Sequence, residues 1–435
     1  MWAVKSRALF VMALLSAITF LGCGKAASTT TPTEQETTGD RTGVTDTEIK
    51  IGTLLPLSVS TAAAWGVKVE AGMQAYFAYK NDQGGIYGRK IKLIVFDDQY
   101  AAPLATEGAR KLVEQDRVFA ILGSLGTTAH DAVYKRLEEN GVPDMFILSG
   151  VARFTDPVAR NRFGWIVRYD QEGKILIRLI ADKYPGKKLG ILAQNDDFGT
   201  ETVAGIKAWL QENGVNMKVD EEKYDETQTD VSAQTQRLKN AGVDVVVLAA
   251  TPLQAASFFR VARETLDWHV PVFVSSVDTA EVVAQLAGYE NIEGSIGVTI
   301  GKQAFHTEDP GIALHYKIIA KYASGTTPDN LTLVGATLSE MMIKVLEQAG
   351  PDLTRESFLA AAESMCGWTC SVCLVPVNMS PTDHRPLEEE IYVEATLDRS
   401  TNPATFKWVE MDRPPVDFES TKECVPPTPP AGYEK

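Results

Sequence analysis

Histidine and cysteine are scarce in this sequence, five of each. His130, His269, His306, His315 and His384 are scattered, with no H-E-x-x-H or similar ligand spacing, so neither a histidine-built metal centre nor a catalytic triad is expected. The absence of a Walker A loop and of a G-x-S-x-G elbow removes two further enzymatic readings. Positive charge is also in short supply: 42 Lys and Arg against 57 Asp and Glu leave a formal net charge of -15, which argues against a nucleic-acid partner. Beyond residue 21 no apolar run approaches membrane-spanning length. No cofactor is expected, and an enzyme is the weakest functional reading.

What is present starts with a leader. Lys5 and Arg7 precede an apolar stretch over 8–21, and small Gly22 stands before Cys23, the pattern of a secretory signal over residues 1–22. The junction Leu21-Gly22-Cys23 resembles the lipobox of bacterial lipoproteins, which implies lipidation of Cys23 and an anchor on the extracytoplasmic face of the cell membrane or in the periplasm. The stretch "GKAASTTTPTEQETTGDRTG" that follows has no large apolar side chain and cannot offset the entropy of ordering, so residues 23–45 read as anchor and tether. Cys366, Cys370, Cys373 and Cys424 then make an even number in an oxidising compartment. Two disulfides are expected, one local and one tying Cys424 back to the body, with the pairing left open. Zinc is disfavoured because no histidine stands near the cluster.

From residue 48 short β-rich runs alternate with amphipathic stretches. Strand candidates are 49–55, 91–96, 118–122, 145–148, 189–193, 217–219, 243–249, 270–274 and 294–298, and the C-terminal "EEEIYVEATLD" and "TFKWVEM" are also β-flavoured. Repeated β-α-β units predict an α/β fold with two doubly wound parallel sheets, each covered by helices on both faces. The glycine-rich "GGIYG" at 84–88 follows a helix and not a strand, so a C-cap and turn is expected there in place of a dinucleotide fingerprint.

One stretch raises the question of function. In "ILGSLGTTAH" a buried run ends at Gly123 and is followed by Ser124, Gly126, Thr127 and Thr128, with no reactive group before Asp131. With "IKIGTLLPLSVSTAAAWGVKVEAGMQAYFAYKNDQGGIYGRKIKLIVFDDQY", "VFAILGSLGTTAHDAV", "FILSGVARFTDP" and "LGILAQNDDFGTETVAGIKAWL" at these spacings, residues 46–412 resemble the extracytoplasmic substrate-binding proteins of the Leu/Ile/Val type that serve ABC importers. "NDDFG", "ATPLQAA" and "NMSPTDHRPL" are similar to a branch that takes up varied small carboxylates and aromatic acids. The resemblance implies a type I periplasmic binding protein: two lobes joined by three crossing strands, with the ligand between them. Lobe 1 is then expected over 46–168 and 300–362, lobe 2 over 169–299 and 363–415, and a Pro-rich tail over 416–435. Hydroxyls and backbone amides, with no nucleophile, suit a site that must release its cargo.

The same resemblance places a carboxylate-binding hydroxyl at Thr127, with Thr128 beside it. The loop after the next strand offers Ser149, Gly150, Val151 and Ala152, and Trp65 stands where relatives carry an aromatic that closes over the ligand. On the second lobe the candidates are Tyr169, Phe198, Thr251, Ser275 and Ser276. Asp196 and Asp197 are expected to cap a helix start. Amino-acid-binding relatives place an acid after the last of these strands to pair with the ligand's ammonium, whereas matching puts Val277 there and Asp278 one residue later. Either a bulged loop turns Asp278 towards the ligand or the ligand carries no amine; the second is preferred. The expectation is a monomeric, lipid-anchored protein that delivers a small carboxylate-bearing solute to permease subunits. The alternative is a sensing partner of a membrane receptor.

Overall fold

The computed structural model describes residues 39–60 and 62–416. The leader, Cys23, most of the tether, Cys424 and the Pro-rich tail beyond Val416 lie outside the described residues. Two sheets organise the chain. The first has the order β2-β1-β3-β4-β5, built from β1 (Glu48–Leu55), β2 (Lys90–Asp97), β3 (Ala120–Leu122), β4 (Asp144–Ile147) and β5 (Arg162–Gly164). All its pairings are parallel. The second has the order β12-β11-β10-β9-β8-β6-β7, from β6 (Leu189–Gln194), β7 (Val219–Tyr224), β8 (Val245–Ala249), β9 (Val272–Val274), β10 (Ile296–Thr299), β11 (Ile391–Asp398) and β12 (Thr405–Glu410). It is parallel from β7 to β10, and β11 and β12 extend it antiparallel.

Sequence explains most of this order. β8, "VVVLA", is buried at every position, as a central parallel strand covered on both faces must be. The edge strand β7 reads "VDEEKY" and alternates between exposed and partly buried positions. It therefore lies further along the chain than the apolar signal at 217–219 suggests. β5 is three residues long and has no periodicity to detect. At "GGIYG" Gly85 donates its N–H to Lys80 O at 3.0 Å, closing the helix Ala63–Asp82 as expected.

That helix carries one wall of the molecule's central cleft, and its position depends on glycine. A Cβ on Gly72 would come within 2.4 Å of Thr332 O, and one on Gly335 within 2.3 Å of Val69 O. The two glycines let Ala63–Asp82 and Asn330–Ala349 cross at backbone contact, which side chains would prevent.

The chain passes between the two sheets three times: after β5, after β10, and between the helix Arg355–Glu363 and β11. Gly301 and Cys373 form an antiparallel bridge between the second and third passages, and Gly164 N donates to His384 O, linking the first to the third. Cys370 is joined to Cys373, which supplies the expected local disulfide. Cys366 is disulfide-bonded as well.

Candidate functional site

Between the sheets lies a cleft of about 1020 Å³, measured out to its open mouth. Its walls are strand ends and crossing segments. Tyr100 follows β2; Leu125, Gly126 and Thr127 follow β3; Leu148 follows β4. Opposite them stand Phe198 after β6, Thr251 after β8, and Ser276 and Val277 after β9. Trp165 and Ile166 come from the first crossing and Thr299 to Gln303 from the second. Trp65, Asn330, Leu333, Val334 and Thr337 enter from the two helices that meet at Gly72 and Gly335.

The glycine-rich loop after β3 has a steric cause. Gly126 adopts φ 107°, and a Cβ there would lie 2.4 Å from Cε2 of Tyr100, so only glycine lets the ring pack on the loop. Thr127, next in sequence, faces the cleft with its Oγ1 2.8 Å from Ser149 Oγ. Across the cleft Tyr169 and Phe198 pack at 4.5 Å between ring centroids. Thr251 Oγ1 donates to Gln254 Oε1 at 2.5 Å, and its backbone N–H donates to Tyr224 Oη at 2.9 Å.

The structure brings Trp65, Thr127, Tyr169, Phe198, Thr251 and Ser276 to the wall, and does not bring the other candidates there. Ser149 stands behind Thr127 as its hydrogen-bond partner. Gly150 uses its carbonyl to receive Tyr169 N at 2.9 Å, and Val151 is core. Thr128 Oγ1 donates to Glu226, and Ala152 N donates to Glu201 Oε2 at 2.9 Å. Ser275 and Asp278 are fully buried behind the wall, where Val277 faces the cleft in their place. The bulge that would turn Asp278 towards a ligand is absent. Its carboxyl lies near Glu172, and burial pushes its pKa well above the ordinary range, with Glu172 adding repulsion.

Sequence reading missed Tyr100, Trp165, Lys302, Gln303, Asn330 and Thr337. The position of Tyr100 just past a strand end was the available signal; the others depend on how crossings and helices pack.

Several contacts span the mouth from one sheet's loops to the other's. Besides Thr128–Glu226 and Ala152–Glu201, Arg153 reaches Asp197 at 2.7 Å while also holding Asp131 at 2.7 Å. Asp196 caps its helix by accepting from Gly199 N at 3.2 Å, as expected, whereas its neighbour Asp197 serves this cross-cleft pair. Asn330 N donates to Glu281 Oε2 at 3.1 Å. These contacts form only when the lobes are together, so they favour the closed state. Arg153 and Asp197 are partly exposed, which limits the pair's contribution. Replacing Arg153 with alanine should therefore weaken solute binding by roughly two- to fivefold through the closure equilibrium. Calorimetry reads the affinity and small-angle scattering the accompanying opening; unchanged values in both would remove the clasp.

A family model described as "Periplasmic binding protein" matches residues 48–396. The chain belongs to the periplasmic binding protein family. Members of this family are substrate-binding proteins and not enzymes, and as a member the protein is exported. "Leu/Ile/Val-binding protein homolog 7" of Brucella abortus (strain 2308) is 26% identical over 316 residues, covering 69% of this chain and 77% of its own. An "Amino acid binding protein" of Pseudomonas aeruginosa is 25% identical over 274 residues, covering 62% and 71%. Among solved structures, a branched-chain amino acid ABC transporter protein from Thermus thermophilus with bound valine superposes with a TM-score of 0.74 at 19% identity, covering 85% of this chain and 97% of that one. A fatty acid ABC transporter substrate-binding protein from Thermomonospora curvata gives 0.73 at 22% identity, covering 86% and 95%. At such identities the structural likeness concerns the fold.

Proposed function

We propose that this binding protein captures a small carboxylic acid lacking an amino group and delivers it to an ABC importer, held at the membrane by a lipid on Cys23. The observation that carries the reading is the charge of the wall. Among the described residues lining the cleft no acid occurs, and the one charged side chain, Lys302, is paired with Asp309 at 2.8 Å. An ammonium group entering this cleft would shed its hydration and find no counter-ion, at a cost on the order of several kcal/mol. A carboxylate would find the hydroxyl of Thr127, backed by Ser149, while the aromatic and aliphatic wall accepts an apolar body. The names of the curated relatives point towards amino acids; the reading departs from them because Asp278, the acid next in sequence to the position that would pair with an ammonium, is buried behind Val277.

Mass spectrometry of whatever co-purifies with the protein tests this most directly, supported by thermal shifts with simple organic and aromatic acids against leucine, isoleucine and valine. The acids should raise the melting temperature, increasingly with the logarithm of their concentration. Asp278→Asn should leave acid binding within about twofold, since the substituted side chain does not reach the wall. Tight binding of a branched-chain amino acid, lost in Asp278→Asn, would overturn the ligand class. Incorporation of labelled palmitate that disappears in Cys23→Ser tests the anchor.

A further inference from the structure

Most polar side chains of the cleft wall have a partner within the protein. Thr127 has Ser149, Thr251 has Gln254, and Ser276 donates to Glu172 Oε2 at 2.5 Å. Thr279 donates to Val298 O and Thr337 to Leu333 O. Gln303 donates to Gly301 O at 3.1 Å and to Thr299 Oγ1 at 3.4 Å, and it receives Asn330 Nδ2 at 2.7 Å. Lys302 is held by Asp309 and by Ser371 O at 3.0 Å. The phenol of Tyr100 sits beside Gln194, and that of Tyr169 beside Ser149. Two groups are left over: the indole N–H of Trp65 and that of Trp165 have no partner among the described residues.

Trp165 is the sharper of the two. Only 5% of its surface is exposed, its Nε1 is buried, and it lines the cleft where the first crossing leaves β5. Buried indole N–H groups normally find an acceptor, and an unpaired one costs stability. Trp408 Nε1 also lacks a partner among the described residues, but it lies in the core of the second sheet and does not line the cleft. A wall that satisfies every other polar side chain and leaves its indole donors open is built around an acceptor supplied by the cavity's occupant.

We propose that Trp165 is a specificity-determining residue whose Nε1–H donates to an oxygen on the body of the solute, so that the favoured ligands are carboxylic acids bearing a second, neutral oxygen acceptor such as a hydroxyl, ether or carbonyl. Trp65, half-buried at the start of its helix, offers a further donor to the same ligand. The inference rests on the amine-free reading of the cleft and narrows it: the acid is held at Thr127, and discrimination among acids occurs at the indole.

Benzoate and its meta- and para-hydroxy derivatives serve as probes, with leucine as a fourth, by calorimetry on the mature protein and on Trp165→Phe. At least one hydroxybenzoate should bind the wild type about tenfold more tightly than benzoate, and that preference should fall to within about twofold in the variant. A merely structural loss would weaken all probes alike. The second readout is the nitrogen-15 spectrum of the indole N–H groups, with Trp165 assigned by its disappearance in the variant; its resonance should move downfield on saturation with the preferred acid. Equal affinities for all three acids in the wild type, as expected if a water molecule satisfies the donor, would overturn the proposal. So would a preference that survives in Trp165→Phe, or an unmoved resonance. Leucine binding in place of the acids would instead sink the amine-free reading, and the Trp165 resonance in the leucine-saturated protein then decides the donor separately.

Discussion

Thr127→Ala should weaken binding of a carboxylic acid by roughly tenfold to a hundredfold, the loss of one charge-assisted hydrogen bond in a site shielded from water. Thr127 is the hydroxyl-bearing residue that the loop after β3 presents to the cleft, and Gly126 leaves no side chain to take its place. Thr127→Ser keeps the oxygen and should recover most of the affinity. Ser149→Ala should cost less, because Ser149 orients the Thr127 hydroxyl from behind and does not line the wall. The two residues share one hydrogen bond, so the double variant should fall short of the product of the single effects. Calorimetric titration of the wild type and these four variants with one acid checks the set; additive losses, or a Thr127→Ala protein that binds normally, would move the carboxylate elsewhere in the cleft.

Lowering the pH from about 7.5 to 5.5 should stabilise the ligand-free protein, by roughly 5 °C or more in melting temperature. Burial raises Asp98 to about 7 and Glu281 to about 7. It also raises Asp278 and Glu390 well above the carboxylate range, with Glu172 adding repulsion to both. A carboxyl whose folded pKa exceeds its unfolded one holds its proton longer in the folded state. Stability then falls as pH rises from about 4 through the folded value, near 7 for Asp98 and Glu281. For Asp98, fully buried, the full displacement is worth on the order of 4 kcal/mol. Two buried histidines act the other way: burial lowers His315 to about 4 and also lowers His384, so both lose ground once the unfolded chain protonates near 6.5. Their opposition begins only in the lower half of the range, and they face several carboxyls. Calorimetric melting at the two pH values reads the sign, and Asp278→Asn, which removes one of the acids, should flatten the slope. A protein that melts lower at pH 5.5 would show that the histidines dominate.

The legible parts of this molecule were those in which one residue's chemistry acts locally. Buried parallel strands such as "VVVLA" declare themselves, and Thr127, Phe198, Thr251 and Ser276 stand just past strand ends, where an open α/β sheet places its ligands. The edge strand "VDEEKY" hides behind its own solvent-facing acids, and "RFG" is too short to show a period. Trp165, Lys302, Gln303 and Asn330 reach the cleft because crossings and helices pack there, through contacts such as Gly72 on Gly335 that link positions far apart in sequence. Thr128 and Ala152 adjoin the binding loops, but their polar groups are engaged by acids from the opposite lobe. A one-residue step along the chain separates a residue of the cleft wall from a clasp contact, and only tertiary structure tells them apart.

Val372 lies inside the small covalent ring closed by Cys370 and Cys373, and it is also part of the ligand's wall. The same ring is stitched to Gly301 on the second crossing, next to the lining residues Lys302 and Gln303. The shape of that side of the cavity is therefore set partly by an oxidation event during biogenesis. Recombinant material made in a reducing cytosol would present a wall with one loosened panel, so the choice of expression compartment becomes part of any measurement of what this protein holds.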